Sequence, residues 1–420
     1  MKTVKISKNP LNGTVTLPPS KSLVHRAVIM AALAKGKSKI GPIVWSDDIT
    51  ATCNCIEALG AKVTRGDDFV EICGIVNPPE KATLNCHESG STLRFLMPVA
   101  AALGVTATFT GAGRLPERPL DDYAKIFPNH GVTMSANSLP LTLSGRLTAG
   151  NYEVSGHVSS QYISGLLMAL SAVDGESTII LTSPLESVDY VLMTQIVMHY
   201  YGVNIGIGSK PSAINKFTIH GSQKITARDY PIESDWSHSA FFLASAAING
   251  EITLNGLYQK SLQGDSFVFN IFKDFGADIS WQENFLVCKS NTLKGIEVDV
   301  SNIPDLVPAI AVTAAFAEGK TKIYNAARLR IKESDRLAAM AQGLKSLGAL
   351  VEEGEDFLII EGSKTFTPAK IHGFNDHRIV MAFAVLGAHI GNVEIDDTHA
   401  TNKSYPSFFE DFKSLGGKLS

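Results

Sequence analysis

Six short stretches put polar or charged residues at the start of an apolar, Ala-rich run. They read PSKSLVHR (Pro19–Arg26), ESGSTLR (Glu88–Arg94), SSQYIS (Ser159–Ser164), ESDWSHS (Glu233–Ser239), IPDL (Ile303–Leu306) and NDHR (Asn375–Arg378). Helix starts carry free N–H groups and the positive end of the dipole, which makes them natural anion sites. Ser234, Asp235 and Asp376 read as N-caps. Capping does not explain Lys21, Arg26, Gln161 or Arg378, and the cations among them oppose the dipole. Their placement implies a bound anion. Gly90 opens the second run, where a missing side chain lets an anion approach backbone N–H groups. Asp305 opens another and reads either as a general base or as a cap. Three further stretches add cations: Arg118 in RLPERPLDD, Lys332 and Arg336 in RLRIKESDRLAAM, and Lys403 in HATNKSYPSFF. Lys332 and Arg336 stand i, i+4 on an expected helix and repel by about 0.2–0.5 kcal/mol, so a ligand or carboxylate should lie between them.

The elements that must position these residues recur through the chain. A helix closed by glycine and followed by a strand-like run appears at Gly60, Gly131, Gly202, Gly276, Gly348 and Gly416, at spacings of 68 to 74 residues. A second landmark, a small-residue helix ending at glycine, holds similar step at Gly36, Gly104, Gly175, Gly250, Gly319 and Gly391. Left-handed glycine ends a helix, and the β-branched run behind it makes a strand. Each unit of about 70 residues reads as βαβαββ, and six of them account for the chain. The first helix of each unit is apolar nearly all round and should be buried. Breaks at LPPSK (Leu17–Lys21) and ITARDYPIESD (Ile225–Asp235) divide the units into residues 1–18 with 228–420, and residues 19–227. The cleft between two such domains is the expected site.

Composition excludes several classes. The 420 residues are 45% apolar and 19% charged, with 37 Lys plus Arg against 41 Asp plus Glu. This near balance argues against a nucleic-acid binder or a basic membrane-surface protein. No apolar run is long enough to span a bilayer. The start, MKTVKISKNP, lacks the apolar core of a signal peptide. Five cysteines, with Cys53-x-Cys55 at the wrong spacing for zinc, suit free thiols in a reducing cytoplasm.

In order, KSLVHRA, SGSTLRF, ERPLDD, SSQYISGLLMA, IPDLVPAIAVTAAFAEG, RIKESDRL, NDHRIVMAFAV and NKSYPSFFEDF resemble the 5-enolpyruvylshikimate-3-phosphate synthases, from Lys21 to Phe412. The resemblance implies an α/β (α+β) fold: a two-domain inside-out α/β barrel of six βαβαββ repeats, three per domain. It implies a transferase of the shikimate pathway to chorismate and aromatic amino acids. The enzyme moves the enolpyruvyl group of phosphoenolpyruvate to the 5-hydroxyl of 3-phosphoshikimate and releases phosphate, through a tetrahedral intermediate. It implies no cofactor and no metal, no nucleic-acid or membrane partner, a cytoplasmic monomer, and glyphosate as an inhibitor competing with phosphoenolpyruvate.

Residue by residue, the resemblance assigns Lys21, Ser22, Arg26, Ser159, Ser160, Gln161, Ser187, Asp305 and Lys332 to 3-phosphoshikimate. Lys21, Gly90, Arg118, Gln161, Arg336, Arg378 and Lys403 fall to phosphoenolpyruvate. Asp305 would take the hydroxyl proton and Glu333 would protonate the methylene, with Lys21 and His377 assisting. The alternative is that Asp305 caps its helix and Glu333 only pairs with Arg336. The chain departs from the family with Glu88-Ser89-Gly90-Ser91 where many members read Asn-Ala-Gly-Thr, with Phe95 for a Pro, and with Arg328 for an Asn. Two competitors remain. A sister transferase acting on UDP-N-acetylglucosamine would place a reactive Cys in GAGRLPERP (Gly111–Pro119), which has none, and Asn where Ser22 follows Lys21. A non-catalytic anion binder would have no reason to keep Asp305 and Glu333 among cations.

Overall fold

The first helix of each repeat has almost no polar face to offer solvent, and this governs the packing. The computed structural model describes residues 3–210 and 213–420. Among them are twelve α-helices, two per repeat. They are α1 (Lys21–Leu33) and α2 (Asp47–Ala58), α3 (Gly90–Leu103) and α4 (Asp121–Ile126), and α5 (Ser160–Leu170) and α6 (Val188–Tyr200). The second half holds α7 (Trp236–Asn249) and α8 (Val268–Phe275), α9 (Val307–Ala314) and α10 (Arg336–Ser346), and α11 (His377–Ile390) and α12 (Phe408–Ser414). Ten of the thirteen residues of α1 and thirteen of the fourteen of α11 are buried.

Strands of the described residues form six four-stranded sheets. The second repeat shows the pattern. Lys81–Asn85 runs parallel to Thr106–Thr110, which pairs antiparallel with Leu141–Gly145, which pairs antiparallel with Val132–Met134. Two repeats trade their leading strands, which periodicity alone did not reveal. Asn12–Thr16 precedes α1 but pairs with Glu251–Asn255 after α7. Tyr230–Pro231 precedes α7 but pairs with Lys37–Gly41 after α1. The sixth sheet takes a strand from the chain start, Val4–Ser7, between Val393–Ile395 and Lys418–Leu419.

The chain accordingly divides into two compact units. One, the C-terminal unit, joins the residues through Pro18 to Glu233–Ser420; the other, the N-terminal unit, is Pro19–Ile232. The second boundary lies five residues beyond the expected 227/228, because Tyr230–Pro231 is still hydrogen-bonded into the N-terminal unit. Each unit has its own apolar core, with Phe241, Ile310 and Phe383 in the C-terminal one and Val28, Leu96 and Leu166 in the N-terminal one.

Helix starts and close approaches set the positions that matter. Ser89, Ser159, Asp235 and Asp376 cap α3, α5, α7 and α11 through their side chains. Ser234, expected as a cap, instead donates its hydroxyl to the Leu17 carbonyl. Neither α1 nor α9 has a side-chain cap. Where α5 meets α3, a methyl at Gly165 would stand 2.5 Å from the Arg94 carbonyl oxygen and 2.6 Å from the Tyr123 hydroxyl. Only hydrogen fits there, and this holds Gln161, one turn earlier, against α3.

Candidate active site

In the N-terminal unit the chemistry-bearing residues collect at the starts of α1, α3 and α5. Lys21 is the first residue of the uncapped α1, where the dipole opposes it. Its ammonium donates to Asp48 Oδ2 at 2.6 Å, in the first turn of α2. The other carboxylate oxygen, Asp48 Oδ1, is buried without a hydrogen-bond partner. Sequence reading missed Asp48, although two acids behind Ser46 at a helix start were the available signal. A buried chain ties three helices together. His25 Nδ1 lies 2.7 Å from Thr52 Oγ1, Thr52 Oγ1 lies 2.6 Å from Thr92 Oγ1, and Thr92 Oγ1 donates to Ser89 Oγ at 2.7 Å. Burial, together with Lys21 and Arg26, lowers the His25 imidazole well below its ordinary value, so it acts here as a neutral strut.

Ser89 in turn caps α3 and sets Gly90 in place. Gly90 lies against Arg118: a methyl there would collide with Nη1 and sit 2.8 Å from Cζ of the guanidinium. Glu88 turns away toward the Gly111–Arg118 loop, with its carboxylate lying over the bare α-carbon of Gly113. Gln161 bridges α5 and α3, accepting from Arg94 Nη1 at 3.0 Å and donating to Ser91 Oγ at 3.0 Å. Arg94 also donates to the Pro119 carbonyl at 3.0 Å, beside Arg118. It is a site residue that the motif contained but that was not singled out. Ser159 spends its hydroxyl on the cap of α5, and Ser160 follows it, buried.

Arg26 and Ser187 lie deeper than a surface anion site would need. Arg26 Nε donates to Thr194 Oγ1 at 2.7 Å, Nη1 to the Ser22 carbonyl at 2.8 Å and Nη2 to the Tyr190 carbonyl at 2.9 Å. Phe95 faces its guanidinium with the ring centre 5.1 Å away, which accounts for an aromatic residue there. Burial brings Arg26 down to about 10, with Tyr190 and Tyr230 opposing the drop. Ser187 is buried in a left-handed conformation at the start of α6.

The C-terminal unit gathers the remaining residues into an ionic cluster. Asp305 sits in the short turn Pro304–Leu306 ahead of α9 and makes no cap. Its Oδ1 accepts from Arg336 Nη1 at 2.9 Å and lies 3.5 Å from Lys332 Nζ, while Oδ2 accepts from Arg378 Nη2 at 2.9 Å. The Asp305 carbonyl takes Arg378 Nη1 at 3.0 Å. Arg336 is buried and meets three carboxylates: Asp305, Glu333 (2.6 Å from Nη2) and Asp376 (2.8 Å from Nε). Asp376 is therefore more than a cap, since it accepts both the Arg378 N–H of α11 and the side chains of Arg336 and Ser334. Arg378 reaches Ser237 Oγ at 2.9 Å, which donates to Asp235 Oδ1 at 2.9 Å. Lys403 donates to the Asn375 carbonyl at 2.5 Å, and His377 is buried at the start of α11.

The expected helix carrying both Lys332 and Arg336 is corrected here. Asp335 caps α10, which begins only at Arg336, and Lys332 is extended. Asp305, not helical spacing, brings the two cations together. Burial pushes the Asp305 carboxyl up, but Arg378, Lys332 and Arg336 outweigh it and hold it well below the usual carboxylate range. Burial lowers Lys332 to about 8 against the pull of Asp305. Arg336 is also penalised by burial, yet Asp376, Glu333 and Asp305 raise it above its ordinary value. Among the described residues, one group of side chains has metal-ligand proximity: His372, Asp396 and Asp397, on the loops beside Asn375.

A family profile described as EPSP synthase (3-phosphoshikimate 1-carboxyvinyltransferase) matches residues 6–412. The chain belongs to the EPSP synthase family. The 3-phosphoshikimate 1-carboxyvinyltransferase of Clostridium kluyveri is 43% identical over 423 residues, covering 100% of this chain and 98% of that protein. The enzyme of the same name from Clostridioides difficile is 42% identical over 435 residues, with 100% and 98% covered. A solved EPSP synthase from Acinetobacter baumannii superposes with a TM-score of 0.81 at 27% identity, covering 100% and 99% of the two chains. The six sheets with their helices match the inside-out α/β fold of that family. The family's activity is 3-phosphoshikimate carboxyvinyl transfer, a transferase step of the shikimate pathway in aromatic amino acid biosynthesis. No described helix is long and apolar enough to cross a membrane.

The position of Lys332 gives a pH signature. Its ammonium is charged below about 8 and neutral above. An anion held beside it keeps the proton on, so affinity is full below about pH 8 and declines as pH rises beyond it. Calorimetric binding of sulfate, whose charge does not change in this range, should weaken from pH 7 to pH 9. Lys332→Arg should flatten that profile, since a guanidinium stays charged. A pH-independent affinity in the native protein would separate Lys332 from the anion.

Proposed function

We propose that the residues of both units serve the same two substrates, phosphoenolpyruvate and 3-phosphoshikimate. Both carry phosphate and carboxylate groups, so several negative charges must be held side by side, and bidentate arginine suits them. Lys21, Ser22, Arg26, Ser159, Ser160, Gln161, Ser187, Asp305 and Lys332 hold 3-phosphoshikimate. Lys21, Gly90, Arg118, Gln161, Arg336, Arg378 and Lys403 hold phosphoenolpyruvate. The observation that carries this reading is a carboxylate, Asp305, set among Lys332, Arg336 and Arg378, with Glu333 on the same arginine. We take the site of action to be the cytoplasm and the active species to be a monomer; five free thiols suit a reducing compartment.

The reaction is addition followed by elimination. Asp305 accepts the proton of the 5-hydroxyl as its oxygen attacks C2 of phosphoenolpyruvate, and Glu333 delivers a proton to the methylene carbon. The tetrahedral adduct then loses phosphate, which takes the hydroxyl proton from Asp305, while Glu333 recovers a methyl proton; the carbon–carbon double bond is restored and both acids return to their starting states. Lys21 and His377 assist these transfers. Arginine and lysine side chains aimed at the phosphate stabilise the charge that builds on the leaving group.

Mixing the protein with phosphoenolpyruvate and 3-phosphoshikimate should release phosphate, and UDP-N-acetylglucosamine in place of 3-phosphoshikimate should give none. In the same assay, Asp305→Asn should lower kcat by roughly 10²–10⁴. Near-normal turnover would leave Asp305 as an ion-pair partner only. Gly90 yields a second outcome. A methyl at position 90 must displace the Arg118 guanidinium, and glyphosate, longer than phosphoenolpyruvate, should lose more by it. We expect Gly90→Ala to raise the inhibition constant for glyphosate by about 10–200-fold, with a smaller rise in the KM for phosphoenolpyruvate. Equal inhibition constants would remove Gly90 from the pocket.

A further inference from the structure

The cations of the C-terminal unit are already occupied by the protein's own carboxylates. Asp305 spans Arg336 and Arg378 with its two oxygens, each contact 2.9 Å, and Lys332 stands 3.5 Å away. Glu333 takes the remaining face of Arg336 at 2.6 Å. Asp376 takes Nε of the same arginine at 2.8 Å. Three carboxylates thus answer three cations, and the Asp305 oxygens occupy the Nη groups of Arg336 and Arg378 that an incoming phosphate or carboxylate would take.

The three carboxylates differ in how firmly they are held. Asp376 is wholly buried, caps α11 and accepts from Ser334. Its departure would cost a helix cap as well as the ion pair. The side chains of Asp305 and Glu333 are each about one-fifth exposed, and neither caps a helix. Rotation of either toward solvent breaks ion pairs but no helix cap. The groups facing Asp305 are Lys332 and Glu333 from the segment leading into α10, Arg336 from the start of α10, and Arg378 from α11.

We propose that Asp305 and Glu333 are resident counter-ions of the anion seat, and that a bound phosphate or carboxylate replaces Asp305 on Arg336 and Arg378. This rests on the assignment of those arginines to phosphoenolpyruvate. Binding is then an exchange of one anion for another. The exchange explains how one carboxylate can be both triply paired and a proton acceptor. While paired it is a weak base, and it gains basicity when the substrate takes its cations. The base is armed only with substrate in place, and until then the guanidinium groups stay neutralised and fixed in position.

The consequence runs against the usual expectation for an active-site substitution. Removing the catalytic carboxylate should strengthen anion binding, because the anion no longer has to displace it. The test is the affinity of the full-length protein for inorganic phosphate, measured by calorimetry at constant pH and low salt. Asp305→Asn should bind phosphate roughly tenfold or more tightly than the native protein. Glu333→Gln should gain in the same direction by a smaller factor. Glu251→Gln, which removes an exposed charge on a distant strand of the same unit, should leave the affinity unchanged. Unaltered or weaker phosphate binding by both folded Asp305→Asn and Glu333→Gln would overturn the exchange. If Asp305→Asn does not fold, Glu333→Gln decides alone: tighter binding supports the exchange and unaltered binding refutes it. Phosphate binding needs no turnover, so this result is independent of whether the phosphate-release assay supports the reaction itself.

Discussion

Arg336 carries a permanent charge into a buried position, and the ionic cluster of the C-terminal unit depends on how that charge is answered. An unpaired ion there would cost several kcal/mol after relaxation. Its three nitrogens instead meet Asp376, Asp305 and Glu333, which come from the start of α11, the turn before α9 and the segment before α10. One guanidinium therefore fixes three chain segments that are far apart in sequence. Arg378 repeats the device one step on, joining the Asp305 turn to Ser237 and, through it, to Asp235 at the start of α7. Three first helices of the repeat thus converge on a single polar network. Farther along, Ser245 of α7 meets His389 of α11 at 3.1 Å, and the remainder of those helices is largely apolar.

The N-terminal unit solves the same problem with fewer charges. Lys21 is answered by Asp48, and neutral groups do the remaining work. The His25–Thr52–Thr92–Ser89 chain links α1, α2 and α3, while Gln161 joins α5 to Arg94 and Ser91 on α3. Gly90 and Arg118 can then meet closely, because Ser89 is locked as a cap and Gly90 has no side chain. The division of labour follows from chemistry. Arginine and lysine supply the charge an anion needs, and buried hydroxyl and amide groups supply position without adding repulsion.

Much of this was legible along the chain. The glycine periodicity marked six units, and the polar helix starts together with three cation-bearing stretches marked most of the residues that gather in the two clusters. Of the strand exchange between the first and fourth repeats, the break at LPPSK assigned residues 1–18 to the C-terminal half, but Tyr230–Pro231 was put with that half too and pairs instead with Lys37–Gly41, because nothing local states which sheet it joins. The carboxylate partners were harder still. Asp48 and Asp376 sit in sequence as ordinary first-turn acids, and their pairing with Lys21 and Arg336 spans 27 and 40 residues. The need for a ligand or a carboxylate between Lys332 and Arg336 was readable from their like charge. The helix expected to carry both was not formed, because Asp335 captures the N–H of Ala338 and starts α10 one residue later. Local charge pattern thus disclosed the demand, and only the fold disclosed what met it.

The dependence of the cluster on Arg336 is tested most directly by a double-mutant cycle on unfolding free energy, using Arg336→Met and Asp376→Asn. Arg336→Met leaves the buried Asp376 without its guanidinium, and Asp376→Asn takes from Arg336 the most buried of its three carboxylates. The double change should cost clearly less than the sum of the two, with a coupling energy of about 2–3 kcal/mol. Costs that add to within about 0.5 kcal/mol would mean that the pair is incidental and that something other than this ion pair holds the helix starts together.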